Sequence, residues 1–198
     1  MSQLICPNCQ AVFASSLGSQ AAAAKLSKVL TCTECNAETH STTTHSPGVV
    51  LNDEMVASCA CHPYHLLEDG TLSPDTVAHA YAQGMSVTRL SKVESGEAHV
   101  MKFCAASFTG RGKGARGKKK AAGIAIVRTG DAREVFYDCG SQAFKVYDTA
   151  SEAMDFHADI FATDFFGNSE ELSLEDQAAR LAAQMALIDR MELKLLPT

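Results

Sequence analysis

An α+β fold is the class this sequence predicts: a small cysteine-bearing N-terminal module, then a domain with a mainly antiparallel sheet and about three helices. Three observations predict it. Two CxxC pairs, Cys6-Pro7-Asn8-Cys9 and Cys32-Thr33-Glu34-Cys35, fall in the first 40 residues. From Val49 onward, short β-prone runs recur between turn residues. Near the C-terminus, Leu174, Ala178, Leu181, Met185, Ile188 and Met191 recur at helical spacing. The expected organisation is a module over 1–40, a polar Ser/Thr-rich linker over 41–48 ending in Pro47-Gly48, and one domain over 49–198.

The chain has 198 residues, enough for one core and a small appended module. No apolar run approaches the length of a membrane span, and no membrane partner is expected. Met1 to Cys6 lacks the basic-then-apolar pattern of a secretory leader, so a cytoplasmic location is the expectation. In that compartment, the eight cysteines read as four metal ligands and four thiols rather than as a disulfide framework. The net charge of −6 hides an asymmetry: Met101–Gly130 holds eight Lys and Arg and no acid, whereas Asp131–Thr198 holds fourteen acids and five bases.

Each CxxC turn lets two sulfurs point at one ion, and two such turns supply the four thiolates of a closed tetrahedral site. Twenty-two residues separate Cys9 from Cys32, room for a hairpin or small loop. A redox CxxC would need a βαβ context, which is missing here. This first segment resembles a zinc ribbon. The resemblance implies a structural Zn2+ on Cys6, Cys9, Cys32 and Cys35, in a module of the kind that binds nucleic acid or docks on a protein. Gln20–Leu30 (QAAAAKLSKVL) predicts a short helix between the pairs, where a ribbon normally carries a β-hairpin.

Val49–Leu51 and Met55–Ala57 predict short strands around a turn at Asn52–Glu54. CACHPYH follows. Cys59 and Cys61 read as small buried thiols on one face of a strand that Pro63 ends, with His62 and His65 in the turn beyond. A second metal on Cys59, Cys61, His62 and His65 is the alternative, or a nucleophile-and-base site. That enzyme reading gathers Cys61, His62, His65, Arg89 and His157 as catalytic candidates. Ser73 and Pro74 start a helix that Gly84 ends, and Met85–Leu90 alternates as a strand. His62–Leu90 also resembles small bacterial proteins, without assigned activity, in which an Asp-Gly turn, a short helix and an S-V-x-R strand recur.

His99–Phe108 and Ala121–Arg128 predict strands. Between them, Gly110–Lys120 (GRGKGARGKKK) predicts a basic loop with six cations from Arg111 onward. Gly112, Gly114 and Gly117 spell GxGxxG, and Gly112–Lys119 nearly spells a phosphate-binding P-loop. Lys119 stands where the magnesium-binding hydroxyl belongs, however, and a strand rather than a helix follows. Arg111, Lys113, Arg116, Lys118, Lys119 and Lys120 are read as contacts to the phosphates of DNA or RNA. The loop has no aromatic residue on which bases could stack. Val135–Val146 predicts a hairpin turning at Cys139–Ser141. Thr149–Phe166 predicts a helix opened by Thr149 and Glu152, with His157, Asp155, Asp159 and Asp164 on its wet side. A helix over 174–193 closes the chain.

The functional expectation is a zinc-binding, nucleic-acid-associated accessory protein of bacterial or phage type. The alternatives are the Cys/His enzyme, and a docking subunit that meets a protein partner through its zinc module and acidic C-terminal helix.

Overall fold

The computed structural model describes residues 6–16, 32, 36–41, 44–114, 117–165 and 169–197. The helix expected over Gln20–Leu30, the fourth thiol Cys35 and the cation Arg116 lie outside them. The fold is α+β, with seven strands in one antiparallel sheet: β1 (Met55–His62), β2 (Met85–Arg89), β3 (Thr109–Gly114), β4 (Gly117–Arg128), β5 (Phe144–Asp148), β6 (His157–Ala162) and β7 (Glu192–Leu195). The α-helices among the described residues are α1 (Pro7–Ser16), α2 (Glu97–Ser107), α3 (Thr129–Arg133) and α4 (Leu174–Ile188). None of the described helices is long and apolar enough to cross a membrane.

The sheet runs β3-β4-β1-β2-β6-β5, and β7 joins β4 beyond the reach of β3. β1 lies at its centre, with β4 and β2 on either side. A register shift between Ala60 and Cys61 interrupts the β1–β4 ladder. The extra residue is Ala122 on β4, opposite the step from Ala60 to Cys61. Two apolar layers sandwich the sheet. One face packs Val56, Val87, Val127, Phe144 and Ile160 under α4 and a 3-10 helix over Pro74–Tyr81. The other packs Ala57, Ile124 and Ile126 against Val100 and Cys104 of α2.

Several sequence expectations are corrected. His99–Phe108 is helical, not a strand: Ala, Met and Lys there are strong helix formers, and Val100 and Cys104, four residues apart, point together at the sheet. Val49–Leu51 is not a strand. Pro74–Tyr81 is a 3-10 helix, although Ser73 caps it as expected, accepting from the Asp75 N–H at 3.2 Å. Gly84, at φ +93°, lies where a Cβ would strike the Phe161 ring, so its lack of a side chain closes the turn into β2.

Where a helix is expected over Thr149–Phe166, the described residues form a loop and then β6. Five of the six β6 residues are buried, because β2 and β5 flank it and both faces are covered. The acids of this stretch suggested a wet helix face, yet Asp159 is buried. The last helix is shorter than 174–193. It is capped by Ser173, stops at Ile188, and the chain turns back to add β7 to β4. A Cβ on Gly123 would run into the Lys194 carbonyl, so only glycine lets β7 approach. The face α4 buries matches the expected one only in part: Ile188 faces the core as expected, joined by Ala183 and Leu187, while Leu174, Leu181 and Met185 are exposed.

Candidate functional site

Three of the four sequence-predicted thiols are described, and they converge. The Sγ atoms of Cys6, Cys9 and Cys32 all lie within 4.8 Å of one another, and Cys6 and Cys32 are 3.8 Å apart. A tetrahedral site with metal–sulfur bonds of about 2.3 Å has edges of about 3.8 Å. The spacing therefore fits thiolates around one ion, and this trio could hold a metal. Cys9 is buried at the start of α1, and Pro7 begins that helix, the position where its missing N–H costs nothing. Next in the chain, Asn36 caps a 3-10 turn over Ala37–Thr39. Glu38 in that turn accepts from Arg133 Nε at 2.6 Å and from the Val146 N–H at 3.1 Å.

The second cysteine–histidine cluster is divided among different partners. Cys59 is bridged to Cys104 of α2, which corrects the expectation of four uncombined thiols and removes Cys59 as a thiolate ligand. Cys61 is fully buried, and its burial pushes the thiol up, away from the thiolate a nucleophile requires. His65 folds back on β1: its Nδ1 accepts from the Cys61 N–H at 3.3 Å and lies 3.8 Å from the Cys61 sulfur. Burial holds His65 below its usual range, so it is neutral at neutral pH. His62 ends β1 on the exposed side, before a cis bond to Pro63. Among the described residues, no second group of three His, Cys or acidic side chains converges as the N-terminal thiols do.

Of the five catalytic candidates, Cys61 and His65 meet, whereas Arg89 belongs to a separate buried network. Arg89 shares the alternation of Met85 and Val87 and points into the core. It is 1% exposed, donating to Glu54 at 2.6 and 2.9 Å, with Asp148 3.7 Å away. Its register partner is Val56, at the far end of β1 from Cys61. Burial alone would raise the Glu54 carboxyl, but the Arg89 hydrogen bonds and charge, with the Leu51 N–H, hold it below its usual value.

His157 has a different set of partners, which sequence reasoning missed. Its Nε2 is 2.6 Å from Ser86 Oγ on β2, and its Nδ1 is 2.8 Å from Thr149 Oγ1. Thr149 donates to Asp159 Oδ2 at 2.7 Å. Burial raises the Asp159 carboxyl to about 6, against the opposing pull of His157 and of the Thr149 hydrogen bond. A carboxyl raised in the fold stabilises it below the unfolded-state pKa and loses that contribution as pH rises through the folded value. Asp159→Asn should therefore gain on the wild type between pH 4 and pH 7, by up to about 3 kcal/mol at 1.36 kcal/mol per unit. Urea unfolding across that range checks it; a difference that does not change with pH contradicts it.

The basic stretch is not a loop. Arg111 and Lys113 fall within β3, and Lys118, Lys119 and Lys120 open β4. The two strands form a ribbon with Lys113 opposite Lys118 and Gly114 opposite Gly117. Lys118 and Lys120 are exposed, and Lys119 is half-buried with Nζ 5.0 Å from the Tyr64 ring centre. Comparison of the chain with protein-family models, curated proteins and solved structures finds no match.

Proposed function

We propose that this protein binds nucleic acid through the phosphate backbone, with a zinc ion on Cys6, Cys9, Cys32 and Cys35 bracing its N-terminal module. The observation that carries the reading is the form of the basic stretch. The two-stranded ribbon sets Lys113 opposite Lys118, and like charges opposite one another destabilise a strand pair unless something neutralises them. A row of phosphates does so, releasing the counterions condensed on it. Arg111, Lys113, Arg116, Lys118, Lys119 and Lys120 are the phosphate-binding cations. The glycines among them keep side-chain bulk off the ribbon. The zinc assignment is supported by the 3.8 Å sulfur spacing and by the preference of zinc for a closed set of thiolates.

The test is fluorescence anisotropy with labelled 30-nucleotide DNA and RNA, single-stranded and duplex. If six phosphates are engaged, affinity falls about 10³-fold between 50 and 200 mM salt. Replacing Lys118, Lys119 and Lys120 together by Ala flattens the log–log salt dependence by about three units, roughly one for each cation removed. Binding that ignores salt, or no binding at all, sinks the reading. Native mass spectrometry counts the metal, with one zinc per chain expected.

A further inference from the structure

We propose that Ser86, His157, Thr149 and Asp159 form a nucleophilic site that hydrolyses small carboxylic esters. β2 carries Ser86, β6 carries His157 and Asp159, and Thr149 follows β5. Ser86 is the register partner of Asp159, and Thr88 that of His157, so Ser86, Asp159 and His157 share the sheet face that α2 partly covers. His157 is therefore the diagonal neighbour of Ser86, a separation a long side chain can span.

The hydrogen bonds fix where the protons are. Thr149 spends its one proton on Asp159 Oδ2, so its oxygen accepts, and His157 Nδ1 must carry the hydrogen that reaches it. That leaves the Nε2 lone pair facing Ser86 Oγ at 2.6 Å, the tautomer a general base needs. The direct His157 Nδ1 to Asp159 Oδ2 distance is 3.6 Å, so the hydroxyl of Thr149 is the link between imidazole and carboxylate. The constellation is recognised by these roles and distances rather than by chain order.

Ser86 is exposed, and it lines a cavity of about 380 Å³ between α2 and the sheet. Val100, Phe103 and Phe108 supply apolar wall for an acyl group. Gln83 and Lys119 bring N–H donors to the same cavity, the type of group that stabilises an oxyanion. In the reaction, Ser86 Oγ bonds to the ester carbonyl carbon while its proton passes to His157 Nε2 and the π pair moves onto oxygen. Collapse expels the alcohol, which takes the proton from Nε2. A water then repeats the sequence on the acyl-serine and releases the carboxylic acid and the free Ser86 hydroxyl.

The test uses the full chain with a fluorophosphonate probe and with p-nitrophenyl butyrate. The probe should add its mass to the peptide containing Ser86, and Ser86→Ala should abolish both labelling and turnover. Ser86 is small and exposed, so that variant keeps the fold, which thermal melting verifies. His157→Gln should lower the labelling rate at least about 100-fold, the scale of a lost general base. Thr149 is a positioning residue: Thr149→Val should slow labelling, and Thr149→Ser, which restores the hydroxyl, should recover it. A Ser86 peptide that stays unlabelled, or butyrate turnover within twofold of wild type in Ser86→Ala, overturns the proposal. Nucleic-acid binding by the ribbon is a separate property and is unaffected by Ser86→Ala.

Discussion

Replacing Arg89 by Met should cost about 3–5 kcal/mol of stability, the scale of breaking one side of a buried ion pair. Arg89 is 1% exposed and sits between two acids with almost no access to water: Glu54 at 8% and Asp148 at 1%. The guanidinium also donates to the backbone carbonyls of Gly48 and Val49, tying the entry into β1 to the end of β2. Met fills much of the volume but leaves two buried carboxylates without their cation. Asp148 already has one oxygen, Oδ2, without a hydrogen-bond partner, so little compensation is at hand. Urea unfolding measures the loss. Adding Glu54→Gln and Asp148→Asn to Arg89→Met should recover part of it, because the uncompensated charge is then gone. A loss below about 1 kcal/mol, the range of exposed pairs, would show that the network is solvated.

The second large effect concerns the bridge between β1 and α2. Cys59 and Cys104 are 45 residues apart in sequence, and the closed loop contains the Pro74–Tyr81 helix, β2 and most of α2. Loop-closure entropy for that length stabilises the fold by about 4 kcal/mol. The double variant Cys59→Ala, Cys104→Ala should lose up to that amount, read from the urea midpoint. Using the variant rather than a reductant leaves the N-terminal thiols untouched. Because Cys59 lines the cavity beside Ser86, the same variant should also loosen α2 and slow fluorophosphonate labelling. A midpoint equal to that of the wild type would show that α2 is held by its apolar packing alone.

Local chemistry was legible in the chain wherever a feature needs only neighbours. The CxxC spacing marked these thiols as ligands for one ion, and Cys6, Cys9 and Cys32 do converge. Ser73 caps its helix as expected because capping is decided within one turn. β2 and the long apolar β4 followed from alternation and from an uninterrupted buried run. Arg89 could have been placed from the same alternation, since it falls in step with Met85 and Val87 rather than with Ser86 and Thr88.

The remainder depended on what lies across the sheet. His157–Ala162 reads as helix or strand with similar ease, and the hydrogen bonds offered by β2 and β5 made it a strand. His99–Phe108 went the other way, because a helix was needed to cover Ala57, Ile124 and Ile126. No local rule pairs Cys59 with Cys104, or Ser86 with a histidine 71 residues away. The order of amino acids dictates which groups this protein carries: thiols that could hold a metal, a basic stretch, a serine and a histidine. Which of them meet is a property of the folded chain, because strand register and helix packing are set by burying apolar surface across long sequence separations.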